Sequence, residues 1–309
     1  MNDELAQMIK KLASTSGYSA CGITGIEPFQ EFDKALQNRI SQFPEAAQLY
    51  FPLIEKMDFH SSAPWARSIV VCTRRYGKYK IPKKLDLYFG RYYLFDRRIP
   101  ECPDFSIAKQ FEIGINNLGI RTRRGGVPYR WAGARAGITH FGKNCFSYSE
   151  DGSWIDFDAW LIDVELPPDQ PTLNSECPKN CRICIDACPT NALIEPYVMR
   201  RDRCIAHLTY EASEPIAPDM WNKMGSWIYG CDVCQRVCPL NKGKWESTES
   251  AEWLEKISDF LSPKALAKMD TDIYLTKVHP YFWYIPVDNL ARWHANATRA
   301  LQNSSEEEI

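Results

Sequence analysis

Eight of the twelve cysteines in this 309-residue chain fall between positions 177 and 238. They are spaced Cys177-x3-Cys181-x2-Cys184-x3-Cys188-Pro189, then Cys204, then Cys231-x2-Cys234-x3-Cys238-Pro239. Thiolates at such short intervals are metal ligands, and soft sulfur donors select zinc or iron-sulfur clusters. Disulfides are not expected, because the chain opens with Met1-Asn2-Asp3-Glu4-Leu5 and shows no apolar secretory segment.

Both runs end in Cys-Pro, and in this they resemble the runs of bacterial two-cluster ferredoxins. There, three cysteines of each run hold one [4Fe-4S] cluster and the fourth reaches across to the other. With Cys204 opening the second run the count closes. Cys177, Cys181, Cys184 and Cys238 are expected to hold one cluster, and Cys188, Cys204, Cys231 and Cys234 the other. A pair of four-cysteine zinc sites is the competing reading, but it gives no reason for the Cys-Pro endings. Three residues separate Cys177 from Cys181 where the ferredoxin run has two. The extra residue bulges the loop and leaves the count intact.

The elements that must position these ligands are those of an ordinary water-facing globular chain, 45% hydrophobic and 25% charged, with room for two or three cores. No apolar run approaches the roughly eighteen residues of a membrane span, and no membrane partner is expected. A net charge of −2 gives no long-range argument for nucleic acid. Ten Trp, fifteen Tyr and fourteen Phe suit either the walls around a flat cofactor or a dense core.

Periodicity predicts a helix over 3–17, stopped by Gly17, a strand at Ala20–Ile23 and a helix at 31–43. Residues 44–64, rich in aromatics and proline, read as an irregular wall. Ser68–Cys72 is an apolar run of the kind buried on both faces of a sheet, with Cys72 a small core residue. Tyr76–Tyr93, taken alone, reads as a solvated basic loop. A helix over 104–118 should end at Gly119. A strand then leads into Arg121-Thr122-Arg123-Arg124-Gly125-Gly126, either a solvated turn or a cationic loop suited to phosphate or carboxylate. A small-residue helix is expected at 131–137 and a strand at Trp160–Leu166. Pro167-Pro168 marks a domain boundary. Beyond Cys238, helices are expected over 251–269 and 288–302, followed by a disordered tail, 303–309.

Four segments resemble one family, the cobalamin-dependent epoxyqueuosine reductases and their relatives the reductive dehalogenases. They are Ala136-Gly137-Ile138-Thr139-His140-Phe141-Gly142-Lys143-Asn144, Trp160–Leu166, Cys204-Ile205-Ala206-His207-Leu208-Thr209-Tyr210-Glu211, and Tyr229-Gly230-Cys231-Asp232-Val233-Cys234-Gln235-Arg236-Val237-Cys238-Pro239. The resemblance implies an α/β (α+β) domain of nitroreductase-like topology, residues 1–168, that binds cobalamin and substrate. It implies a ferredoxin-like two-[4Fe-4S] module over 169–245, inserted before C-terminal helices at 246–302 that pack on the core. It also implies a corrinoid- and iron-sulfur-dependent reductase of an organic substrate. Arg130, Ala136, Gly137, His140, Gly142, Lys143, Asn144 and His207 become the candidates to hold the corrinoid. The implied electron donor is a low-potential ferredoxin or flavodoxin. An electron-transfer protein that reduces a partner's corrinoid is the alternative.

Two departures qualify the resemblance. Epoxyqueuosine reductases carry an aspartate, the proton donor, just before the segment equivalent to Val127-Pro128, and here Arg123 to Gly126 contain no acid. The chain also leaves no room beyond Gln302 for the helical repeat domain that some members add. Both disfavour tRNA as substrate. Reductive dehalogenases use a tyrosine as proton donor, so Tyr129 is the first candidate here, with Tyr92 and Tyr93 behind it; each is otherwise a packing residue. Cys102 and Cys145 are candidate axial thiols to cobalt or substrate nucleophiles or, more simply, inert core cysteines. With neither a secretory nor a twin-arginine signal, a cytoplasmic protein is expected.

Overall fold

The computed structural model describes residues 2–55, 59–172, 174–212 and 216–306. Its organising element is a four-stranded sheet of β1 (Ala20–Thr24), β2 (Ser68–Arg75), β3 (Thr122–Arg124) and β4 (Ile155–Ile162), in the order β1-β2-β4-β3. Every neighbouring pair is antiparallel. Because strand side chains alternate between faces, β2 and β4 feed two cores at once. Val70, Cys72, Trp160 and Ile162 pack beneath helices α1 (Asn2–Ser16) and α3 (Ile107–Asn117). Ile69, Val71, Phe157, Ala159 and Leu161 face the other way, toward Phe29 just before α2 (Gln30–Gln42) and toward α4 (Tyr129–Arg135). The fold is thus a mixed α/β arrangement with a sheet covered on both faces.

Close approach fixes where α4 ends. A Cβ on Gly22 of β1 would stand 2.5 Å from the Ala136 carbonyl oxygen, so only glycine lets the strand lie against this helix end. Gly137, next in the chain, has φ +72°, and a side chain there would meet the Gln170 carbonyl.

A third core joins segments distant in sequence: Tyr76–Cys102, Trp154, Ile228–Tyr229 and the C-terminal helices, including α5 (Leu290–Glu306). Tyr229 stacks on Trp293 with ring centroids 5.1 Å apart, and Tyr93 donates to or accepts from Tyr210 at 2.7 Å.

Several expectations change. Tyr76–Tyr93 is not a solvated loop, since Tyr76, Tyr79, Leu85 and Phe89 are buried in this third core. The wall after Pro44 is built of short helical turns, Pro44–Leu49, Phe51–Glu55 and Phe59–Ser62. The strand expected at Trp160–Leu166 begins earlier, at Ile155, and ends at Ile162. The helix expected over 251–269 is two, Glu252–Ile257 and Pro263–Leu266, with Ser262 capping the second through the Ala265 amide. The expected tail is helical as far as Glu306, with the Asn303 amide donating to the Gly225 carbonyl at 3.0 Å; 307–309 lie outside the described residues.

Candidate metal and cofactor site

Each cysteine run wraps a single helical turn, Ile183–Asp186 in the first and Val233–Arg236 in the second, and the two turns pack against each other. This brings the last cysteine of each run to the opposite group. A small cavity is lined by Cys177, Cys181, Cys184 and Cys238, together with Lys143, Asn144 and Tyr148. Cys188, Cys204, Cys231 and Cys234 form the second set, each within electrostatic reach of the others.

The donor chemistry of both sets fits iron-sulfur clusters. Backbone amides point at the sulfurs, as they do where thiolates are metal-bound: Lys143 N–H donates to Cys177 Sγ at 3.4 Å and Ala192 N–H to Cys188 Sγ at 3.3 Å. The amides of Ala206 and His207 do the same for Cys204, and that of Val233 for Cys231. Burial pushes the Cys204, Cys231 and Cys234 thiols above their ordinary range, so thiolates there call for bound metal charge. A single zinc would draw its four sulfurs to about 3.8 Å of one another, given Zn–S near 2.3 Å. Among the described residues no three His, Cys, Asp or Glu side chains stand close enough for one ion.

The strap Gly142-Lys143-Asn144 ties the runs to the sheet domain. The buried Lys143 ammonium donates to the carbonyls of Pro178 and Lys179, both at 2.7 Å, and of Cys181 at 3.0 Å, spending all three protons on the first cysteine loop. Asn144 Nδ2 donates to the Cys234 carbonyl at 3.1 Å and to Tyr148 Oη at 2.8 Å. Gly142 lies so close to the Tyr148 ring that a Cβ would stand 2.3 Å from it.

The other expected cofactor residues separate into different settings. His140, 6% exposed, stacks on Tyr148, and its Nε2 has no hydrogen-bond partner among the described residues; burial lowers its pKa. That nitrogen and the hydroxyl oxygens of Thr139 and Ser147, all buried and without a hydrogen-bond partner among the described residues, leave polar groups on either side of the strap for a bound cofactor to satisfy. Arg130 donates to the Cys145 carbonyl at 2.9 Å and lies over the Phe146 ring. Ala136 and Gly137 form the close-packed turn against β1. His207 is engaged by Glu211 at 3.1 Å. Cys145, at φ +65°, packs against the cluster of Cys184, Ile185 and Leu193, and burial pushes its thiol up to about 11. Cys102 is buried in the third core, pointing its thiol at the Phe95 carbonyl.

Tyr129 opens α4 at the edge of the sheet where β3 stops. Within electrostatic reach of its phenol, from the other face of the sheet, lies a grouping of acids and arginines that the sequence did not announce. Asp158, 1% exposed on β4, accepts from Arg124 Nε at 2.8 Å and from Tyr18 Oη at 2.7 Å, and pairs with Arg97 at 3.0 Å. Arg97 also pairs with Asp156 at 2.9 Å and donates to the Phe157 carbonyl at 2.8 Å. Burial, then the Asp158 carboxylate, raises the Tyr129 pKa, so the phenol stays protonated at neutral pH. Tyr92 is half-buried within electrostatic reach of Asp156, whereas Tyr93 is paired with Tyr210 within reach of Cys204. The signal for the acids was the Asp-x-Asp alternation at 156 and 158 inside an apolar strand.

Residues 176–241 match the 4Fe-4S double cluster binding domain. An epoxyqueuosine reductase of Xanthomonas campestris pv. campestris is 30% identical over 258 residues, covering 77% of this chain and 70% of that protein. One from Cyclobacterium marinum is 28% identical over 246 residues, 76% and 79% of the two chains. Among solved structures, epoxyqueuosine reductase from Bacillus subtilis, with its catalytic loop swung out of the active site, matches with a TM-score of 0.79 at 24% identity, over 100% of this chain and 84% of that one. An epoxyqueuosine reductase bound to an epoxyqueuosine-modified tRNA stem loop gives 0.76, also at 24% identity, over 99% and 84%. The structural likeness is one of fold. No helix among the described residues is long and apolar enough to cross a membrane.

Proposed function

The chain belongs to the epoxyqueuosine reductase family of corrinoid- and iron-sulfur-dependent enzymes, and from that premise we propose that it reduces an organic substrate with electrons from a low-potential ferredoxin or flavodoxin. The observation that carries the reading is the division of eight cysteines into two sets of four, crossed between the runs. In this reading residues 1–168 form a nitroreductase-like domain for corrinoid and substrate, 169–245 the two-cluster module and 246–302 helices that brace both.

When bound, the clusters pass single electrons and the corrinoid supplies a strongly reducing cobalt centre. The protein's own residues do the rest. The two cysteine sets bind the clusters, and Lys143 and Asn144 hold the cysteine loops in register with the sheet domain. His140, with the strap's backbone, would help hold a bound corrinoid. Tyr129 holds a proton at Oη for the bond being reduced, taking the place of the aspartate that this chain lacks. Arg97, Arg124 and Asp158, within electrostatic reach of that phenol, set the charge it feels.

The tRNA-bound relative makes tRNA the first substrate to try, although the net charge of −2 does not favour it. The test is anaerobic turnover of the loaded protein with reduced methyl viologen, offered tRNA bearing epoxyqueuosine, small epoxides and organohalides. Viologen oxidation coupled to one of these supports the reading. Cobalt-loaded protein that turns over none of them contradicts it.

A further inference from the structure

We propose that Arg123 is the specificity-determining residue of this site and that the substrate carries an anion, a carboxylate or phosphate ester, beside the bond being reduced. The inference rests on Tyr129 being the proton donor and extends that reading to the class of substrate.

The argument is one of charge and direction. Arg121, Arg123 and Arg124 follow one another on and before β3, where side chains alternate between faces. Arg124 pairs across the sheet with Trp160 and turns to the side of Asp158, which holds it at 2.8 Å and 2.6 Å. Arg121 lies over the Trp65 ring at 4.1 Å. Arg97 is shared between Asp156 and Asp158. Arg123 pairs with Leu161, which places it on the opposite face from Arg124, the face that α4 and Tyr129 cover. It is half-buried, and among the described residues its side chain makes no hydrogen bond or ion pair.

The loop is shaped to keep it there. Gly125 and Gly126 have φ of +83° and +77°, conformations suited to glycine. A Cβ on Gly126 would stand 2.8 Å from the Arg123 guanidinium, and one on Gly125 would stand 3.2 Å from Tyr129 Oη. The glycine step therefore carries the guanidinium on one side and the phenol on the other. A half-buried guanidinium with no carboxylate paired to it is a ready partner for a planar anion, which it can grip through two N–H groups.

The test is calorimetric titration of the holoprotein, loaded with iron-sulfur clusters and hydroxocobalamin, with inorganic phosphate and separately with acetate at constant ionic strength. Saturable binding of one or both is expected, with phosphate alone assigning a phosphate ester and acetate alone a carboxylic acid. Arg123→Gln should weaken that binding about tenfold or more, Arg123→Lys less, and the exposed Lys109→Gln not at all. Binding unchanged in Arg123→Gln, or absent from the wild type, would overturn the proposal. Iron and cobalt contents, measured on the same samples, report the cofactor reading independently, and turnover of Tyr129→Phe reports the proton donor.

Discussion

The Lys143 ammonium donates to the Cys181 carbonyl at 3.0 Å, so a residue of the sheet domain holds the backbone of the first cysteine loop. With the bonds to Pro178 and Lys179 it is a charge fully met by carbonyl dipoles in a buried place. Lys143→Met leaves those carbonyls unsatisfied and is expected to cost about 2–3 kcal/mol. Iron should be lost first from the group that includes Cys181. Denaturant unfolding and iron analysis of the purified variant check this, and wild-type iron with wild-type stability would remove the strap from its role.

The crossing of the cysteine runs has its own signature. Cys238→Ser should lose the same cluster as Cys181→Ser, although the two residues belong to different runs, and Cys188→Ser should match Cys204→Ser. Electron paramagnetic resonance of the reduced variants distinguishes the two outcomes. If Cys238→Ser instead resembles Cys234→Ser, each run holds its own cluster.

Replacing Tyr129 by phenylalanine removes one hydroxyl and little packing. Turnover is expected to fall by about 10²–10⁴, the ordinary range for a lost general acid. Iron and cobalt contents should stay at wild-type levels. Unchanged turnover would pass the role to another group, with Tyr92 next to consider.

The cysteine runs were readable because ligand spacing is written into short sequence intervals and one helical turn suffices to present them. Helices such as 2–16 and 107–117 were readable for a related reason, their apolar stripe being local. What escaped depends on distant partners. Tyr76–Tyr93 is basic and irregular, yet it is buried because Tyr229, Trp293 and the C-terminal helices cover it. The start of β4 was hidden by Asp156 and Asp158, acids that a strand buries only when arginines meet them, and Arg97 lies some sixty residues away. The corner around Tyr129 could be assembled only in three dimensions.

A pH effect follows from the clamp beside the second cysteine set. The hydrogen bond from His207, followed by the Arg201 ion pair, holds the Glu211 carboxyl at about 2, below its ordinary 4.5. A depressed carboxylate adds stability that is complete above its unfolded pKa and is lost as pH falls through the folded one. The stability difference between wild type and Glu211→Gln should therefore be full at neutral pH and disappear between about 4.5 and about 2. Unfolding midpoints across that window decide the matter, and a difference that persists at the acid end would contradict the clamp.

The most direct test of the account is metal analysis after anaerobic reconstitution with iron, sulfide and hydroxocobalamin, followed by gel filtration and an absorption spectrum. About eight irons and about one cobalt per chain, with a base-off corrinoid spectrum, is the predicted result. About eight irons without retained cobalt would contradict it and leave a two-cluster electron carrier.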